Sequence, residues 1–315
     1  MSILISRRVF VASGLAPFAF ARHASAQLPA VIADGQPIGR NRMLVVHEDA
    51  SGRIVAFDSS AYLGAHSTSS ADVIVAGSYC GTRILAPMFT RGVKAVIATD
   101  GGIGKDEAGI SGLKHGETIG VPVATIAAMS AETSNGRDVL RGTISRANAQ
   151  ARALGVTPAM VAYDAAMRLA KAPAGRPIPT PVPLEVMPVV VEQTTNGRIW
   201  ASPGTTAIRD HVPNDVICSG ANSSRVMSDG VIRMSAKGAI ANDAGIGKNN
   251  SAVEGVKLLG DRGVPAASVS TMSARLGEGM STWNDGIISV VNPPAAARGV
   301  RVGMTAKEAA RLMLA

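Results

Sequence analysis

The chain has 315 residues, 46% of them apolar and only 3% aromatic, with a formal charge of +8. That length accommodates two domains of ordinary size, and the apolar fraction can give each one a core. Lys and Arg are scattered and aromatic rings scarce, which argues against nucleic acid as a partner, since such surfaces cluster basic residues among stacking rings.

Residues 1–26 read as a signal for export. Ser6-Arg7-Arg8-Val9-Phe10 has the twin-arginine pattern, an apolar run follows to Ala21, and Ala24-Ser25-Ala26 is a small-x-small cleavage site. The run is too short for a stable span, and no other stretch approaches the ~20 apolar residues a bilayer needs. The mature protein is therefore expected in the periplasm, delivered folded by the twin-arginine machinery and free of the membrane. Arg7, Arg8 and Arg22 leave with the signal and no acid does, so the formal charge falls from +8 to +5.

The remainder contains itself twice. At an offset of 143, residues 72–131 align with 215–274 without a gap and with 21 identities in 60 positions. The match continues outward with small shifts, Gly52-Arg53-Ile54 pairing with Gly197-Arg198-Ile199 and Asn148 with Asn292. We read a tandem duplication, with one repeat over 43–169, a linker over 170–186 and a second repeat over 187–314. A residue present in one copy and absent from the other is then informative in itself.

After a polar lead-in to Arg42, Met43–Val46 and Arg53–Phe57 flank Asp49-Ala50-Ser51-Gly52 as a hairpin. Val73–Gly77 reads as a buried strand, Thr82–Arg91 as a helix, and Ala95–Ala98 as the next strand. A Gly-rich turn follows, then a helix over Glu107–Thr118 and a strand over Val121–Ile126. Asp138–Gly155 reads as a strand–helix pair, and Thr157–Leu169 as a closing helix with Thr157 as N-cap. Five prolines in Ala172–Pro183 mark the linker as extended. Continuously apolar strands separated by helices predict a mainly parallel sheet covered on both faces. The fold class expected is two tandem α/β domains related by a pseudo-two-fold axis. The order of apolar strand, Gly-Gly turn, helix and Gly-Val-Pro-Val strand resembles the swivelling β/β/α domains of the phosphohistidine type. Their histidine is absent, with Lys105-Asp106 in its place, so the resemblance implies a fold and no activity.

Ligands of open α/β sheets bind beyond the carboxyl ends of the strands; four loops per copy qualify, and three of them carry candidate residues. Asp100-Gly101-Gly102-Ile103-Gly104-Lys105 is matched by Asp243-Ala244-Gly245-Ile246-Gly247-Lys248. In both, an Asp ends a strand, Gly102 and Gly104 (or Gly245 and Gly247) turn the backbone, and a Lys opens a helix, an arrangement suited to an anion. Thr99 and Asn242 stand where a Walker loop needs glycine. In the second loop Cys80 aligns with Ser223, a nucleophile pair if His66 or His211 approaches. In the third, Ser130 and Ser273 are equivalent donors, while Arg275 occurs only in the second copy, opposite Glu132. No spacing suits a metal or nucleotide, so a cofactor remains unassigned. Cys80 and Cys218 are not equivalent, and the periplasm would permit a disulfide between them.

These features suggest an exported enzyme acting on a small carboxylate-type metabolite between the two domains. Asp100 or Asp243 would serve as acid–base group and Lys105, Lys248 and Arg275 as anion clamps, in a hydrolase, lyase or isomerase. The alternatives are a periplasmic solute-binding protein and a structural or assembly protein.

Overall fold

The computed structural model describes residues 28–179 and 187–315. The signal and the last residues of the proline-rich linker lie outside them. In the first repeat, β1 (Leu44–Asp49), β2 (Gly52–Phe57), β3 (Asp72–Tyr79), β4 (Ala95–Thr99), β5 (Val123–Ile126) and β6 (Ile144–Ala147) form one sheet in sequential order. In the second, β7 (Val189–Thr194), β8 (Gly197–Ser202), β9 (Val216–Asn222), β10 (Gly238–Asn242), β11 (Ala266–Val269) and β12 (Ile288–Val291) repeat that order. The four central strands of each sheet are parallel and the two edge strands antiparallel. The duplicated α/β fold is therefore as expected.

The unbroken apolar runs follow from helices on both faces. Along β3, Val73 and Val75 join one core with Ile54 and Ile97, while Ile74 and Ala76 join the opposite core with Val55, Phe57 and Val96. The second sheet divides the same way, Val216 and Cys218 facing one core and Ile217 the other. A polar residue at any of these positions would be buried whichever way it pointed.

Many residues common to both repeats hold this frame together. Arg53 binds Asp72 through Nε at 2.9 Å and Nη2 at 2.8 Å, and Arg198 binds Asp215 at 3.0 and 2.9 Å. Lys94 donates to the Ala170 carbonyl beyond the helix Ala162–Leu169, and Lys237 to the Leu314 carbonyl of the helix Ala306–Leu314. Each satisfies a carbonyl left unpaired where a helix ends.

Two local readings need correction. Asp138 lies inside a helix, Gly136–Arg141, because the Asn135 side chain accepts from the Asp138 N–H and starts the turn; β6 begins only at Ile144. The closing helix of the first repeat starts at Ala162 with Val161 as N-cap, and Thr157 caps nothing. The chain there first adds to the sheet edge through a Thr143–Val161 bridge, which keeps Val161 extended. In the second repeat Thr305 does cap, in a reciprocal pair with Glu308.

The two domains meet at the carboxyl ends of their strands, where the glycine loops interlock. A Cβ on Gly102 would lie 2.7 Å from the Gly245 Cα, and one on Gly245 would lie 2.8 Å from the Gly102 Cα. Reciprocal contact between equivalent residues is what a two-fold relation produces. Lys105 N donates to Thr271 O at 2.8 Å, and Thr133 N to Ser251 Oγ at 2.8 Å. Tyr79 and Ala108 of the first domain bury against Ala244, Ala252 and Leu276 of the second. The linker as far as Pro179 runs back along the first domain, Gly175 N donating to Ser70 O at 2.7 Å.

Candidate functional site

Each glycine loop is anchored within its own domain by its aspartate. Asp100 Oδ1 accepts from Gly102 N and Ala128 N, both at 3.0 Å, and Asp243 Oδ1 accepts from Gly245 N at 3.1 Å and Thr271 N at 2.9 Å. Each aspartate thus ties its own loop to the one after the next strand. Ile103 and Ile246 both take positive φ, 63° and 70°, an outlying conformation for a β-branched residue that is nonetheless held in both copies. The copies differ at the outer oxygen: Ser289 Oγ donates to Asp243 Oδ2 at 2.8 Å, whereas the corresponding Ser145 pairs with Thr125.

The cations of these loops already have partners. Lys248 reaches across to Asp138 at 2.9 Å, and Lys105 crosses the other way to Asp285 at 3.0 Å. Arg275 lies 3.4 Å from Asp106 and 3.5 Å from Glu278. Gly104 and Gly247 pack tightly beside Thr271 and Ser251 respectively. Ser130 Oγ donates to Ala127 O and accepts from Thr143 N; Ser273 Oγ does the same with Ser270 O and Ile287 N. These residues join strand ends, loops and domains to one another.

Cys80 and Ser223 do occupy equivalent places, their carbonyls accepting from Gly112 N and Gly255 N at 2.8 Å. Cys80 is a free, buried thiol whose pKa burial pushes well above the ordinary value, and the nearby Asp100 raises it further. Ser223 Oγ accepts from Ser268 Oγ at 2.8 Å. His66 bonds instead to Asn41 O, and His211 is exposed, so neither histidine reaches the loop. Cys218 is likewise free and buried, in the core of the second domain. Among the described residues no His, Cys, Asp or Glu cluster could hold a metal ion.

A crevice of about 340 Å³ lies between the domains, at the ends of β3 and β9 and the turns after β2 and β8. From the first domain come Ser59, Ser60, Ser78, Tyr79, Arg83 and Ser134, and from the second Thr205, Thr206, Ala221, Asn222, Ser224 and Val226. Tyr79 aligns with Asn222, Ser78 with Ala221 and Arg83 with Val226, so the crevice straddles the pseudo-two-fold axis. No carboxylate is found among the described residues that line it.

Its polar wall is ordered by hydroxyls. Ser60 N donates to Ser78 Oγ at 2.9 Å, and Ser78 Oγ donates to Ser60 Oγ at 3.1 Å. Across the boundary Ser134 Oγ donates to Ser224 Oγ at 2.8 Å, which donates to Asn222 Oδ1 at 2.7 Å. Ser134 holds a left-handed φ of 61°, where its counterpart in the second repeat is Gly277 at 99°. Glycine takes that conformation without strain, whereas serine does not. Here the first repeat keeps the hydroxyl that bridges the crevice.

Neither a known protein family, nor a characterised protein, nor a solved structure matches the chain.

Arg83 is the group the sequence reading missed. It stands in the first turn of the helix Thr82–Thr90, half-buried, and forms no hydrogen bond or ion pair among the described residues. Burial lowers its pKa below the usual guanidinium value, but a guanidinium stays charged under any ordinary condition. Burial also raises the pKa of Tyr79 beside it, which keeps the phenol neutral. A signal did exist, since Arg83 in one repeat stands opposite Val226 in the other.

Proposed function

We propose that the protein binds a small organic anion, of the carboxylate type, in the crevice between its two domains. The observation that carries this reading is Arg83: a half-buried guanidinium without a counter-ion among the described residues, lining a cavity that also presents hydroxyls and an amide. A buried charge is expected to be paired, and a bound carboxylate would complete it with two parallel N–H···O bonds. The Asn222 amide and the hydroxyls of Ser60, Thr205 and Thr206 would donate to remaining oxygens or to bridging water. Among the described residues the lining supplies donors and a cation and no carboxylate or histidine, which favours a binding role over a hydrolase, lyase or isomerase. Interlocked loops and two crossing lysines pin the domains, so the ligand would enter a crevice already formed.

Residues 1–26 support export by the twin-arginine route, which would place this binding activity in the periplasm. Replacing Arg7 and Arg8 by Lys should strand the precursor in the cytoplasm on fractionation. The binding reading is tested by calorimetry of the parent and Arg83→Ala with small carboxylates. Loss of one charge-assisted contact should weaken affinity roughly tenfold to a hundredfold. Equal affinity in the two proteins would exclude Arg83 as the anchor.

A further inference from the structure

We infer that the ligand is a monocarboxylate with an aliphatic tail, and that Val226 selects against a second carboxylate. The inference rests on the crevice being the binding site and adds which end of the ligand lies where.

The pseudo-two-fold axis maps the Arg83 wall onto the Val226 wall. Around Arg83 stand Ser78 and the neutral phenol of Tyr79. At the positions equivalent to Ser78 and Arg83, the second repeat has Ala221 and Val226, with Met227 following. Val226 is partly buried against apolar residues of the first domain, so its methyl groups belong to a cohesive surface. Asn222, Thr205 and Thr206 offer neutral donors on that side, but Arg83 is the one cation among the described lining residues, so a dicarboxylate would leave its second charge beside Val226 and Met227 without a counter-charge. A carboxylate with an alkyl tail satisfies both walls, its head on Arg83 and its methylenes against Val226 and Met227. With about 340 Å³, the cavity stands at the lower end of small-molecule sites, which suits a small acid.

The test is titration calorimetry of the purified protein with straight-chain acids from propanoate to octanoate and with glutarate and adipate. Within the monocarboxylates, affinity should rise about fourfold per added methylene until the crevice is full. The dicarboxylates should bind at least tenfold more weakly than monocarboxylates of equal length. Val226→Arg, checked for folding by circular dichroism, should reverse that order. Dicarboxylates binding as tightly as monocarboxylates to the parent, or affinity independent of chain length, would overturn the inference. In that case a large Arg83→Ala effect would still stand for the binding site itself. If no acid in the series binds, both fail. The parent series decides the matter even if the Val226 variant is unfolded.

Discussion

Lys248 and Asp138 face each other across the domain boundary at 2.9 Å, the carboxylate 4% exposed and the ammonium 36%. The equivalent lysine, Lys105, crosses to a different carboxylate, Asp285, in a pair open to water at both ends, 33% and 40% exposed. Charge pairs in water contribute little, whereas removing one partner of a buried carboxylate leaves it poorly compensated. Lys248→Ala should therefore lower unfolding stability by about 1.5–3 kcal/mol and Lys105→Ala by less than about 1 kcal/mol. Urea denaturation of the two variants checks the order, and equal losses would contradict it.

Ser134 offers a test of strain. Ser134→Gly removes both the left-handed penalty and the bond to Ser224, and should leave stability nearly unchanged. Ser134→Ala loses the bond and keeps the penalty, so it should be less stable than the glycine variant by about 1–2 kcal/mol. That is the reverse of the usual preference for alanine. Chemical denaturation measured on both would settle the sign.

The Asp72–Arg53 pair gives a pH dependence. Burial favours the neutral carboxyl, but the Arg53 bonds and the Ser69 donors outweigh it and hold the pKa below the usual value. A carboxyl depressed in the folded state stabilises the fold above its unfolded pKa, near 4, and that contribution disappears as pH falls through the folded value. Arg53→Met should thus cost much of the melting temperature at pH 7 and progressively less below about pH 4. A constant difference from pH 7 down to pH 2, followed by calorimetry, would rule this out.

Both thiols should be silent in the native protein. Burial pushes the Cys218 pKa up to about 12 and Cys80 higher still, so almost no thiolate exists at pH 8. Ellman's reagent should label neither until denaturant is added, and then both. A reducing agent should not move the melting temperature.

The frame was legible because an internal repeat exposes what both copies need. Continuous apolar runs such as Val73–Ala76 gave the two-faced sheets, and the identities at Asp72, Lys94, Asp100 and Gly102 marked bonds that recur in both halves. The same criterion could not tell a ligand contact from a contact between domains. Retention of Lys105 and Lys248 suggested an anion clamp, yet both meet carboxylates of the opposite domain, whose placement depends on how the halves dock. Docking geometry is a long-range property that no local spacing encodes. Residues that differ between the copies, Arg83 against Val226 and Ser134 against Gly277, line or border the crevice.

The proline-rich connection between the repeats has a consequence for evolution as well as for folding. In a dimer of identical subunits, any side chain near the axis is present twice, so an arginine there confronts its own copy and an asymmetric ligand meets two like walls. Joining the halves in one chain releases each from the other's mutations. One half can then carry the charge while its twin supplies the grease, and a pocket with a head and a tail can arise at a place where symmetry would have forbidden it.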